Sequence, residues 1–131
     1  MSSRAQAVEA TAEDEWVDSV MQNLEPSERI SQLINIATFS NRDKAFEDSI
    51  SRIIQEYKIG GLIFFQGGPV RQAKLTNRYQ QESELPLLIS IDAEWGLGMR
   101  LDSTISFPYN MALGAIQEDR LIYDMGVEVG R

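Results

Sequence analysis

Leu85-Pro86-Leu87-Leu88-Ile89-Ser90-Ile91-Asp92-Ala93-Glu94-Trp95-Gly96-Leu97-Gly98-Met99-Arg100 decides how this chain is read. Its apolar run stops abruptly at two carboxylates, Asp92 and Glu94, and Gly96, Gly98 and Arg100 follow. The pattern predicts a buried strand from Leu87 to Ile91 that delivers acidic groups to its C-terminal tip, where parallel α/β folds place their ligand chemistry. On an extended chain Glu94, two residues on, points to the same side as Asp92.

Working outward, Leu62-Ile63-Phe64-Phe65 is a second short apolar run, bounded by Gly60-Gly61 and Gly67-Gly68, and reads as another buried parallel strand. Gln66 to Pro69 is the loop after it, and Val70 to Gln81 a helix leading to the strand that Pro86 introduces. Before it, Ala45 to Tyr57 carries Phe46, Ile50, Ile53, Ile54 and Tyr57 at helical spacing. Ile34 to Phe39 is a candidate first strand, or equally the continuation of a helix. Pro26 opens a short helix with Glu28 in its first turn and Ile30 and Leu33 as its buried face. From Glu13 to Leu24 the spacing of Trp16, Val17, Val20, Met21 and Leu24 predicts an amphipathic helix laid against a larger body, with Trp16 part of a core stripe. Residues 1–12 are small and polar and read as a disordered or loosely ordered tail. Past Arg100, residues 102–110 read as a loop, and Asp119 as the cap of a final helix from Arg120 to at least Val129. The alternation of strand and helix with short links gives an α/β fold with about three parallel strands.

The bulk properties narrow the chemistry. With 43% hydrophobic and 24% charged residues in 131, the chain is long enough and apolar enough to bury a core. It has no cysteine and no histidine, so disulfides, thiolate metal sites and imidazole bases are excluded, leaving carboxylates, lysine, tyrosine and hydroxyls. The formal charge is −8, of which the first 28 residues hold −6 through seven acids against Arg4 alone. An acidic chain without a cluster of lysine and arginine is a poor partner for nucleic acid or an anionic membrane. No apolar run approaches the roughly 20 residues that span a bilayer. The N-terminal residues lack the basic start and apolar middle of a signal peptide, so the compartment is periplasmic or extracellular where an export signal has been removed and cytoplasmic otherwise. Gly60-Gly61 and Gly67-Gly68 fit neither dinucleotide nor Walker glycine patterns, and turn geometry accounts for both. For Asp92 itself, an N-cap or turn carboxylate is the competing structural reading, and a metal or acid/base pair with Glu94 is disfavoured by the repulsion of two like charges so close together.

Four phrases in order place the chain beside a known family. Asn23 to Leu33, Ile59-Gly60-Gly61-Leu62-Ile63-Phe64-Phe65, Pro86-Leu87-Leu88-Ile89-Ser90-Ile91-Asp92-Ala93-Glu94 and Phe107-Pro108 with Met111-Ala112-Leu113-Gly114-Ala115 resemble motifs of the N-terminal domain of family 3 glycoside hydrolases, which include β-glucosidases and β-N-acetylglucosaminidases. The resemblance covers roughly residues 16 to 130. It implies that residues 13–131 are the N-terminal portion of a (β/α)8 barrel, incomplete because a whole barrel takes about 250 residues. It also implies hydrolysis of terminal β-linked sugars with retention, through a nucleophilic aspartate and an acid/base that the family places beyond Arg131. No catalytic group, cofactor or metal ligand is then expected within the chain.

What carries over by position is Asp92, matching the family aspartate that hydrogen-bonds the hydroxyls of the non-reducing sugar in the −1 subsite. Glu94 and Arg100 also match family positions, less closely tied to sugar contact. Trp95 and Leu97 stand where many relatives have glycine and arginine, and Trp95 is an expected stacking surface for a pyranose. The substrate-binding set is therefore Asp92, Glu94, Trp95 and Arg100, and the partner a carbohydrate. An incomplete barrel leaves an open sheet edge, so self-association through that edge is expected. The competing class is a non-catalytic α/β module that binds a small ligand or partner at its strand tips.

Overall fold

The computed structural model describes residues 11–131. Three strands, β1 (Asn35–Thr38), β2 (Gly61–Phe64) and β3 (Leu88–Ile91), form one parallel sheet in chain order, and the sheet is open. The register aligns Thr38, Phe64 and Ile91 as the last residues of the three strands. The next residues along the chain, Phe39, Phe65 and Asp92, therefore leave the sheet at one level. Asn35–Thr38 is a strand rather than a continued helix, because a bent connection, Leu33 N to Ile30 O and Ile34 N to Ser31 O, ends the preceding helix.

The crossovers are the two long helices, α3 (Lys44–Tyr57) and α4 (Pro69–Glu82), which pack on each other and on β2. Asp43 caps α3 by accepting the Phe46 amide at 2.9 Å, and Lys58 closes it in the left-handed region at φ 49°. Pro69 opens α4 where no amide hydrogen is needed. Ile50 and Ile54 from α3, Leu75 and Tyr79 from α4, and Leu62 and Phe64 from β2 make the core, joined by Ile59 and Leu87. Alternation along β2 sends Leu62 and Phe64 to the helices, and both are fully buried. Tyr79 is also fully buried, and burial pushes its hydroxyl up to about 12. This is the α/β architecture expected of the first strands of a (β/α)8 barrel.

Around this centre lie α1 (Ala12–Asn23), α2 (Pro26–Ser31), a short 3₁₀ turn at Leu97–Met99, α5 (Asn110–Leu113) and α6 (Asp119–Val129). Thr11 and Asp14 form a reciprocal capping box at the start of α1. The expected tail of residues 1–12 falls mostly outside the described residues. The 3₁₀ turn precedes the segment that reads in sequence as loop, residues 102–110, and α5 begins at its last residue. The cap of α6 is Glu118, and Asp119 is its first helical residue, where its charge meets the positive end of the helix.

The strand expected to be buried, β3, is exposed at Leu88 and only partly buried from Ile89 to Ile91, because it is an edge of the open sheet, and two expectations about helix burial are also overturned. Ile30 and Leu33 do not form a buried face on α2: they are 64% and 83% exposed, because α2 is a six-residue link whose packing toward the sheet passes through Glu28, Gln32 and the loop instead. Trp16 is likewise not core. It is exposed along with Val17 and Met21, and these residues rim an open groove of about 240 Å³ whose far wall is Leu85 and Pro86. Only Leu24, just past the end of α1, reaches full burial on that side.

Candidate functional site

Asp92 is the first residue beyond β3, at the carboxyl rim of the parallel strands. It is half-buried and engaged by one neighbour. Arg100 donates from Nη2 to the carboxylate Oδ2 and from Nε to the Asp92 carbonyl at 2.7 Å, so the guanidinium grips both the side chain and the main chain of one residue. Among the described residues, Asp92 Oδ1 accepts no hydrogen bond, and a third of the side chain is open to solvent. The arrangement leaves one oxygen fixed and one available.

Several independent contacts put Arg100 there. After Ala93 the chain turns, Gly96 N donating to Ala93 O, and Gly96 takes φ 95°, a conformation that suits only glycine. A side chain at Gly96 would also run into the Phe107 ring. The 3₁₀ turn then brings Arg100 back beside β2's extension. There Gly67 N donates to the Arg100 carbonyl at 3.1 Å and Asp102 N to the Gly67 carbonyl at 2.8 Å, a parallel bridge in miniature. Asp102 in turn pairs with Arg71 of α4, whose Nε holds the Ser40 carbonyl at 2.9 Å, and this guanidinium keeps the Asp102 carboxyl below its usual range.

The three residues that leave the sheet at one level are thereby connected. The Arg100 guanidinium lies 4.7 Å from the centre of the Phe65 ring, and Phe65 stacks on Phe39 at 5.8 Å. Phe39 meets Phe46 of α3 edge-on at 5.9 Å, which ties the rim to the helix layer. Arg42 covers the Phe39 ring at 4.9 Å.

Of the four residues singled out in sequence, Asp92 and Arg100 come together as one unit. Glu94 does not share Asp92's side of an extended chain: it sits in the turn, exposed, and has no ion pair among the described residues, because extended geometry ends at Ala93. Trp95 packs edge-on against Tyr109 at 4.8 Å, forming a partly exposed aromatic corner. Sequence reasoning missed Phe39, Phe65 and Tyr109. The first two carry a legible signal, each closing a stretch read in sequence as a strand, Ile34 to Phe39 and Leu62 to Phe65, one residue past the strand ends that align with Ile91. Tyr109 carries none.

As chemistry, the rim offers a carboxylate acceptor, an aromatic corner and a guanidinium already committed to that carboxylate. Vicinal hydroxyls suit such an acceptor, and a charge-assisted bond of this kind is worth about 1.5 to 3 kcal/mol. Among the described residues no cluster of three metal-ligating acidic side chains occurs, and no helix is long and apolar enough to cross a membrane. No curated protein matches the chain. The family model for the glycosyl hydrolase family 3 N-terminal domain, however, matches residues 25–131, the span holding all three strands and the Asp92 rim, and the chain therefore belongs to glycoside hydrolase family 3.

Proposed function

We propose that this protein removes terminal β-linked sugars from an oligosaccharide or glycoconjugate with retention of anomeric configuration, and that Asp92 binds hydroxyls of the sugar in the −1 subsite. The observation that carries the reading is the Asp92 carboxylate at the strand rim with Oδ2 held by Arg100 and Oδ1 open. Membership of the family supplies glycoside hydrolysis as the general chemistry. The catalytic step belongs to a nucleophilic carboxylate and an acid/base contributed from outside residues 1–131, and this part of the barrel contributes orientation. Trp95 and Tyr109 are the proposed aromatic wall of the sugar site, an apolar face with a polar edge that matches a pyranose ring. Glu94, free in its turn, is the proposed rim contact for whatever lies beyond the first sugar.

The test is hydrolysis of a panel of aryl β-glycosides by the protein expressed from its full reading frame, with the product anomer followed by NMR. We expect the β-anomer to form first, and Asp92→Ala to lower kcat/KM by about 100-fold or more through lost charge-assisted bonds. Initial release of the α-anomer contradicts the retaining mechanism. Equal kcat/KM for wild type and Asp92→Ala removes Asp92 from the site.

A further inference from the structure

We propose that Arg100 is a positioning residue for Asp92, one that fixes Oδ2 so that Oδ1 is presented to the sugar, and that Phe65 and Phe39 are the platform on which the guanidinium rests. The inference rests on the reading of Asp92 as a sugar ligand and adds to it the device that makes a strand-tip carboxylate a directional one.

A carboxylate on a loop after a strand has two side-chain torsions to explore and four lone-pair directions to offer. Arg100 removes most of that freedom. Its Nε bond to the Asp92 carbonyl sets the main chain, and its Nη2 bond to Oδ2 sets the side chain relative to it. Two directional donors separated by the width of one guanidinium are what this requires, and an ammonium group lacks them. The flat face of the same group is used as well, 4.7 Å from the Phe65 centroid. Phe65 is itself backed by Phe39. Arg100 is also fixed at its own backbone, through Gly67 N to its carbonyl and its amide to Leu97 O at 2.9 Å. With only 15% of its side chain exposed against 34% for Asp92, the arginine is the supported partner and the aspartate the presenting one.

Arg100 is thus placed as the partner of Asp92 rather than as a ligand in its own right: Nε and Nη2 are both directed at Asp92, and only 15% of its side chain is exposed. That distinguishes it from a second sugar-binding cation, which would leave its donors free and act independently of the aspartate.

The test is a double-mutant cycle on aryl β-glycoside hydrolysis with the full reading frame, using Asp92→Ala, Arg100→Ala and both together, with Arg100→Lys alongside. We expect Arg100→Ala to lower kcat/KM about tenfold in the wild-type background and not at all in the Asp92→Ala background. Guanidinium ion at millimolar concentration restores activity to Arg100→Ala but not to the double variant, and Arg100→Lys stays close to Arg100→Ala. Phe65→Leu, which keeps the arginine and removes the ring, is expected to lose about threefold and serves where Arg100→Ala folds poorly. Equal losses from Arg100→Ala in both backgrounds, or an Arg100→Ala enzyme as active as wild type, overturn the positioning role while leaving Asp92 as ligand. A neutral Asp92→Ala overturns both readings at once. Loss of thermal stability in Arg100→Ala without rescue by guanidinium marks the arginine as merely structural.

Discussion

Gly67 shows how tightly single residues are fitted at the rim. A side-chain carbon there would collide with Oγ and Cβ of Ser40, a buried residue whose hydroxyl accepts the Gly68 amide at 3.0 Å. Gly67 also exchanges backbone hydrogen bonds with Arg100 and Asp102, so displacement of this glycine displaces the arginine. Gly67→Ala is expected to destabilise the fold by about 1–3 kcal/mol, the usual cost of overpacking, and to lower activity with it. Denaturant unfolding of the variant measures this, and an unchanged midpoint contradicts it. At this scale the sequence was legible where one local rule sufficed. Asp92 stands out because an apolar run ends on it. Arg100's partner lies eight residues away through a turn that Gly96 alone permits, so its role emerges only once that turn is built. Trp16, Ile30 and Leu33 look like core in sequence because apolar spacing reports a face, and at each of these positions the side chain is left exposed.

Among elements, the junction of α2, the end of α3 and the approach to β3 is held by charge. Lys58, at the left-handed end of α3, bonds Glu28 and Glu84 at 2.8 Å each, and its carbonyl accepts the Gln32 amide. The Lys58 ammonium holds the Glu28 carboxyl below its usual 4.5 and is itself pushed up by the two carboxylates. Lys44 and Arg78 lower Asp48, between α3 and α4, in the same way. A carboxyl depressed in the folded state contributes stability that is present above its ordinary value and is lost as pH falls through the lowered one. Stability should therefore hold at neutral pH and decline once pH drops below about 4.5, the ordinary Glu28 value. Lys58→Met should make that acid decline shallower, and added salt should do the same because the groups face solvent. Thermal melting across that range checks it, and identical pH profiles for wild type and Lys58→Met contradict it. The long elements were readable: α3 has a strong apolar stripe, α4 fills the stretch between two strand signals and opens at Pro69, and the glycine-bounded run of β2 is unambiguous. The 3₁₀ turn and α5 were not, since they are three and four residues long, too short to show any periodicity.

For the molecule as a whole, the sheet order leaves both β1 and β3 without a further partner among the described residues. The unpaired edges carry apolar groups: Leu88 on β3 is 65% exposed, and Ile34 and Leu33 precede β1 in the open. Residues 1–131 expressed alone are therefore expected to self-associate. Sedimentation at rising concentration checks this, and a monomer that melts cooperatively at every concentration contradicts it. The fold class was legible at this scale because strand, helix and strand in short alternation admit few topologies. The rim as a continuous surface was not, because Phe39, Phe65 and Asp92 meet only through register.

The most direct measurement is kcat/KM for aryl β-glycosides lacking, one at a time, the vicinal hydroxyls of the terminal sugar, for wild type and Asp92→Ala in the full reading frame. If Asp92 grips those hydroxyls, each deletion costs the wild type about 10- to 100-fold and the variant almost nothing. Equal penalties in both proteins would show that the carboxylate at the rim never touches the sugar.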